Sequence, residues 1–158
     1  YEYIGHIHTK KTADLKDRSV GEVWFEFLLG NLLGGPSGPM ADRILAALHR
    51  DKSLGMVFPD DPNVVGWDSN RPIAGVVAAR LGIQELPEQL NFPVGTMFWA
   101  RTAGLKPLMD LNLQWDDYPV EPVPYDGTFL HAVERLLPLM LVPLKLRYAT
   151  TNVVGLTR

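Results

Sequence analysis

Residues able to do chemistry fall into three stretches of this sequence. The first is His6-Ile7-His8-Thr9-Lys10-Lys11. In a strand, residues two apart share a face, so His6 and His8 could hold one metal ion, with Lys10 on the same side if the strand continues. Against this, His49 and His131 are the other histidines, no further ligand spacing is visible, and a metal-dependent hydrolase barrel needs about 250 residues. No metal is assigned. Charge offers a different use. Lysine acts on phosphate oxygens as a compact cation, and in open α/β sheets ligands sit beyond the carboxyl ends of the strands. His8, Lys10 and Lys11 at the mouth of a parallel sheet would then neutralise a diphosphate; the same residues also read as a solvated basic turn.

The second stretch runs from Asp126-Gly127-Thr128 through His131 and Glu134-Arg135. With Asp126 as the cap of a helix, His131 and Arg135 lie four apart on one face, and Phe129, Val133 and Leu136 form the apolar stripe. A carboxylate at a helix N-terminus is stabilised as the anion, which suits a base taking a proton from a sugar hydroxyl. The plainer reading is that Asp126 only caps and that Arg135 pairs with Glu121 or Asp126. In the third stretch, Phe92 to Arg101, Phe98 and Trp99 point to opposite strand faces. An exposed ring there could stack on a sugar, although such aromatics are more often core.

The elements that must position these groups alternate in type. Residues 2–8 read as a strand, and Val20–Leu33 as a helix with Ser19 as its cap and Val23, Trp24, Phe27, Leu28 and Leu32 at helical spacing. A second helix is expected over Met40–His49 and a strand over Gly55–Phe58. A third helix should run from Asn70, with Pro72 in its first turn, to Leu81, stopped by Gly82. Gly95–Arg101 is the clearest strand, followed by a short helix over Leu105–Leu111. The acidic stretch Trp115–Tyr125 is a loop because of Pro119, Pro122 and Pro124, and Gly127–Leu137 is a helix capped by Asp126. Interposed strands and helices of this length favour an α/β fold.

Composition narrows the function. The 158 residues are 46% hydrophobic and 21% charged, with a formal net charge of -3, enough apolar material for one packed domain and no basic footprint for nucleic acid. The absence of cysteine excludes disulfides and Cys-ligated metal and fits a reducing compartment, so a cytoplasmic location is the expectation. The longest apolar run, Leu136–Leu146, is broken by Pro138, Pro143 and Lys145 and falls well short of the roughly 20 residues that cross a bilayer. The opening Tyr3-Ile4-Gly5-His6 reads as a core strand without a preceding turn, and is expected to follow a missing N-terminal portion.

Taken in order, His8-Thr9-Lys10-Lys11, Trp24 before Leu32-Leu33-Gly34, Gly55-Met56-Val57-Phe58-Pro59, Gly95-Thr96-Met97-Phe98-Trp99-Ala100-Arg101, then Glu121 with Asp126-Gly127-Thr128 and His131-Ala132-Val133-Glu134-Arg135 resemble the ordered blocks of the rhamnan synthesis protein F family. The resemblance covers nearly the whole chain. It implies a GT-A-like (Rossmann-like) glycosyltransferase domain, three-layered with a small mixed sheet, of which residues 1–158 are the acceptor-side portion lacking the N-terminal strands; such a fragment alone would be inactive. It implies transfer of rhamnose or a related sugar from a nucleotide-sugar donor to a glycan or lipid-linked glycan acceptor in polysaccharide assembly, with peripheral association at the inner membrane face.

GT-A enzymes hold a metal on the donor diphosphate with an Asp-x-Asp pair; the matching strand here ends in His8-Thr9-Lys10. The resemblance therefore suggests that His8, Lys10 and Lys11 bind the diphosphate without a divalent metal or other cofactor. Asp126 then takes the place of the base, Glu121 is its rival, and His131, Arg135 and Trp99 bind or orient the acceptor. The alternative is a non-catalytic carbohydrate-binding or scaffold domain; a metal-dependent hydrolase using His6 and His8 also stays open.

Overall fold

The computed structural model describes residues 1–9, 18–36 and 38–157. Four strands form one sheet in the spatial order Tyr3–His6 (β1), Phe98–Arg101 (β3), Leu54–Pro59 (β2) and Arg147–Thr151 (β4). β1 and β2 both run antiparallel to β3, and β4 runs parallel to β2. The fold is α/β with a small mixed sheet. The expectation of a parallel sheet mouth at His8 is corrected by this order. Because His6 lies opposite Phe98, the carboxyl end of β1 sits beside the start of β3, against the turn that leads into it.

β2 is buried at all six positions, as expected of a strand covered on both faces. Its residues alternate between two cores. Val57, with Met97 and Trp99 of the β3 segment, faces α1 (Arg18–Leu32) and α2 (Met40–Arg50) through Trp24, Phe27, Leu28, Leu32, Ile44 and Leu48. Met56 and Phe58, with Phe98 and Ala100, face the 3-10 turns Thr102–Leu105 and Leu139–Leu144 through Leu105, Met140 and Leu141. The period-2 alternation of the strands thus divides the domain into three layers.

A third cluster joins α3 (Arg71–Arg80) to α5 (Phe129–Leu136), where Ala74, Val77 and Ala78 meet Ala132 and Leu136. Alanines on both helices let the backbones approach. α4 (Lys106–Asp110) follows the 3-10 turn after β3 and is shorter than the helix expected over Leu105–Leu111. Gly34, at φ 100°, closes α1 into the turn before α2; a Cβ there would lie 2.1 Å from the Gly38 carbonyl, so glycine is required.

Three further elements differ from expectation in their boundaries. β1 is shorter than residues 2–8, and β3 begins at Phe98 rather than Gly95, because residues 93–96 form a turn in which the Thr96 N–H donates to the Pro93 carbonyl at 2.7 Å. α5 starts at Phe129, and its N-cap is Thr128, whose hydroxyl accepts from the His131 N–H. Asp126 is therefore not the cap: Gly127, at φ 75°, turns the chain before the helix begins. Among the described residues, no helix is long and apolar enough to cross a membrane.

Candidate functional site

A cleft runs between the β1–β3 edge and α5. Its wider part, about 470 Å³, has an apolar floor of Ile4, Phe98, Leu105, Leu108, Val133 and Leu137. Its polar end, about 220 Å³, is lined by His8, Gly95, Thr96, Leu130, His131 and Glu134. His8 comes from the chain after β1 and His131 from the first turn of α5, so residues 123 positions apart in the sequence share one opening.

Each polar group at that end has a local reason for its place. The His131 Nδ1 lies 2.8 Å from the Thr128 hydroxyl, which ties the ring to the cap of its own helix. His8 Nε2 donates to the Gly95 carbonyl at 2.9 Å, and His6 Nδ1 to the Thr96 carbonyl at 2.5 Å. Glu134 reaches the same turn from the other side, its Oε1 accepting from the Gly95 N–H at 2.9 Å and from the Thr96 hydroxyl at 2.7 Å. Glu134 stands three residues after His131, a spacing that puts both on one helix face; that spacing was the available signal for it, and the sequence reading assigned it no role.

Asp126 lies just before α5, half-buried. Its Oδ1 accepts from the Asn70 side-chain amide at 2.7 Å and lies 3.7 Å from Arg135 Nη2. Asn70 is fully buried; its side chain also donates to the Trp67 carbonyl and accepts from the Gly127 N–H. Asn70 thus spends its side chain on Asp126 and the chain around it instead of on the first turn of α3, which it precedes. Burial pushes the Asp126 carboxyl up, but the Asn70 amide, the Gly127 N–H, Arg135 and His131 together outweigh it and hold the group below its ordinary value.

The remaining candidates are dispersed. Arg135 is buried and turned away from the cleft: its Nε donates to the Gly66 carbonyl at 2.9 Å, Nη1 to the His131 carbonyl at 3.1 Å, and the guanidinium lies over the Phe92 ring. Its pairing with Asp126 is the one the plainer sequence reading allowed, joined by Asp68 at 3.8 Å. Glu121 is exposed in the loop after β3 and α4, with its Oε2 accepting from the Val123 N–H, and it does not line the cleft. Trp99 packs in the core toward α1, its indole donating to the Leu32 carbonyl at 3.0 Å and its ring filling the space over Gly5. A ring held there is on the sheet face opposite Phe98 and the cleft. Lys10 and Lys11 lie outside the described residues. Among the described residues, no group of three or more His, Asp or Glu side chains is arranged to hold a metal ion.

The profile of the family described as rhamnan synthesis protein F matches residues 1–144. The chain is also 30% identical over 156 residues to the uncharacterized protein WxcX of Xanthomonas campestris pv. campestris, with the same identity in two strains. Those alignments cover 96% of this chain and 22% of each relative, so the chain spans about a fifth of the length of the curated relatives it matches. No solved structure matches it.

Proposed function

Because the chain belongs to the rhamnan synthesis protein F family, we propose that it is the acceptor-side portion of a GT-A-like glycosyltransferase that passes rhamnose or a related sugar from a nucleotide donor to a growing cell-surface polysaccharide. The observation that carries this reading is the meeting of His8 and His131 across one cleft; Asp126 lies outside its lining, just before α5, the helix that carries His131.

In this reading Asp126 removes the proton of the acceptor hydroxyl as that oxygen attacks the anomeric carbon. The bond from the anomeric carbon to the diphosphate breaks, and the nucleoside diphosphate leaves with the electron pair. A carboxyl held below its ordinary value is ionised at neutral pH and so carries no proton of its own, while the same shift makes it a weaker base than an ordinary carboxylate. His8, with Lys10 and Lys11, meets the charge gathering on the diphosphate. His131, held by Thr128, orients the acceptor, while the Asn70 amide fixes Asp126 and the Arg135 charge 3.7 Å away favours its anion. Glu121 is the rival base, and the apolar floor of the cleft suits a hydrocarbon-bearing acceptor presented at a membrane surface.

The test is sugar transfer by the full-length protein from a panel of nucleotide sugars, including deoxythymidine-diphosphate rhamnose, onto a lipid-linked glycan, with and without a strong chelator. Transfer that survives chelation and falls about 10²- to 10⁴-fold in Asp126→Asn is the expected result. Loss on chelation overturns the role given to His8 and the lysines. Unchanged transfer in Asp126→Asn but loss in Glu121→Gln moves the base to Glu121. No transfer from any donor favours a non-catalytic carbohydrate-binding domain.

A further inference from the structure

The turn at residues 93–96 is gripped from two sides. Its acceptors face β1: the carbonyls of Thr96 and Gly95 take the His6 Nδ1 and His8 Nε2 protons at 2.5 Å and 2.9 Å. Its donors face α5: the Gly95 N–H and the Thr96 hydroxyl both go to Glu134 Oε1, at 2.9 Å and 2.7 Å. The turn also holds a backbone conformation that needs support. Gly95 is at φ 86° and Thr96 at φ 58°, and a β-branched residue in the left-handed region persists only where its surroundings over-determine it.

A carbonyl oxygen can only accept. The direction of each turn carbonyl therefore decides which nitrogen of each imidazole carries the facing proton and where the ring points. His6 presents Nδ1 and His8 presents Nε2 to the turn; the other His8 nitrogen, Nδ1, faces the Thr9 carbonyl at the longer 3.3 Å, so the turn makes the closer contact with each ring. The rings lie 5.4 Å apart, and His6 stacks on Phe98. From α5, the apolar contacts of Leu130 and Val133 fill space at the cleft but cannot fix the direction of a peptide plane. A carboxylate oxygen accepting from two consecutive residues can.

We propose that Glu134 is a positioning residue: by clamping the Gly95–Thr96 turn it fixes the two carbonyls that orient His6 and His8 at the cleft. The clamp rests on the glycosyltransferase reading only for what His8 then meets, the diphosphate of the donor. In this role Glu134 acts on the site through the turn, although its side chain also lines the cleft. Its effect reaches the site through two peptide groups and two imidazoles.

The experiment measures the rate at which diethyl pyrocarbonate modifies each histidine of the full-length protein, read by peptide mass spectrometry. His49, exposed on α2, serves as the internal reference. Glu134→Ala is expected to raise the rates at His6 and His8 about fivefold relative to His49, as expected when hydrogen bonds that order a segment are lost. Glu134→Gln keeps an oxygen able to accept both donors and restores rates near the wild type. Unchanged rates at His6 and His8 in Glu134→Ala overturn the proposal, as does a Glu134→Gln protein that behaves like Glu134→Ala. Should Glu134→Ala not accumulate folded, Thr96→Ala removes one of the two donors; a smaller rise at the same two histidines supports the clamp, and no rise overturns it. The readout needs no turnover, so its failure is separate from failure of the glycosyltransferase reading. Where transfer is measurable, Glu134→Ala raises KM for the nucleotide sugar by a larger factor than it lowers kcat, and the reverse split overturns the positioning role.

Discussion

Arg101 and Arg135 are both buried, yet the protein satisfies them in different ways. Arg101, at the end of β3, donates to the main-chain carbonyls of Leu48, Asp51 and Leu54 and forms an ion pair with Glu2 at 2.9 Å. Leu48 belongs to the last turn of α2, where carbonyls have no partner within the helix. Arg101 thus ties the end of α2, the start of β2 and the segment before β1 into one joint. Arg135 donates to two carbonyls, while three carboxylates stand round it at 3.7–3.9 Å, those of Asp126, Asp68 and Glu134. Those separations exceed hydrogen-bond length, so its charge acts as a shared field rather than as a set of directed bonds. One guanidinium is spent on architecture; the other sets the electrostatics beside the cleft.

The largest effect should come from breaking the first joint. Arg101→Met leaves three buried or half-buried carbonyls without their donor, and unfolding in urea should show a loss of about 3–5 kcal/mol. Arg135→Met should cost less, about 2–3 kcal/mol, because its carboxylate partners are partly open to water and relax into it. It should differ in kind as well. Removing Arg135 takes away one of the groups that holds the half-buried Asp126 carboxyl down, whereas removing Arg101 releases only the exposed Glu2 carboxyl, which Tyr3 and Lys52 also hold down, so the dependence of stability on acid pH changes more in Arg135→Met than in Arg101→Met. Equal losses with identical pH profiles would erase the distinction between the two arginines.

What the sequence made legible follows the same division between local and distant causes. α1 was readable because Trp24, Phe27, Leu28 and Leu32 recur at helical spacing and are all buried, and α3 because Pro72 stands in its first turn and Gly82 follows its end. β2 was readable as a short apolar run closed by Pro59. β4 was not: Arg147–Thr151 pairs in parallel with a strand some 90 residues earlier, and nothing near it announces that partner. Asp126 and Thr128 are both good capping types, and only the left-handed Gly127 between them decides for Thr128. Trp99 went to the closed face because the turn at 93–96 sets where strand alternation begins. At the site, His8 and His131 were singled out by residue type and do share a cleft. Glu134 was legible only as sharing a helix face with His131; its target, the turn at 95–96, lies 38–39 residues away, so the local pattern did not show what it grips.

The smallest effect, and the sharpest test of the contrast, lies in two aspartates beside the two arginines. Arg101 touches Asp51 only through its main chain. The Asp51 carboxyl is lowered from 3.8 to about 2 by the Ser53 hydroxyl and N–H and then by Arg147. Asp126 is lowered from the same 3.8, against the opposing push of burial, and Arg135 is among the causes. For a carboxyl depressed by folding, the stabilisation is present above the unfolded value and is lost as pH falls through the folded one. Asp51→Asn should therefore flatten the decline in stability between about pH 4 and about pH 2, and Asp126→Asn should flatten the decline below about pH 4. Combined with Arg135→Met, the Asp126→Asn effect should shrink, because the two groups act on each other, whereas the Asp51→Asn effect should add unchanged, as expected for sites without shared partners. Denaturation midpoints across that pH range, for the single and double variants, decide it: coupling of Asp51 to Arg135, or additivity of Asp126 with Arg135, would mean that the shared field around Arg135 is drawn in the wrong place.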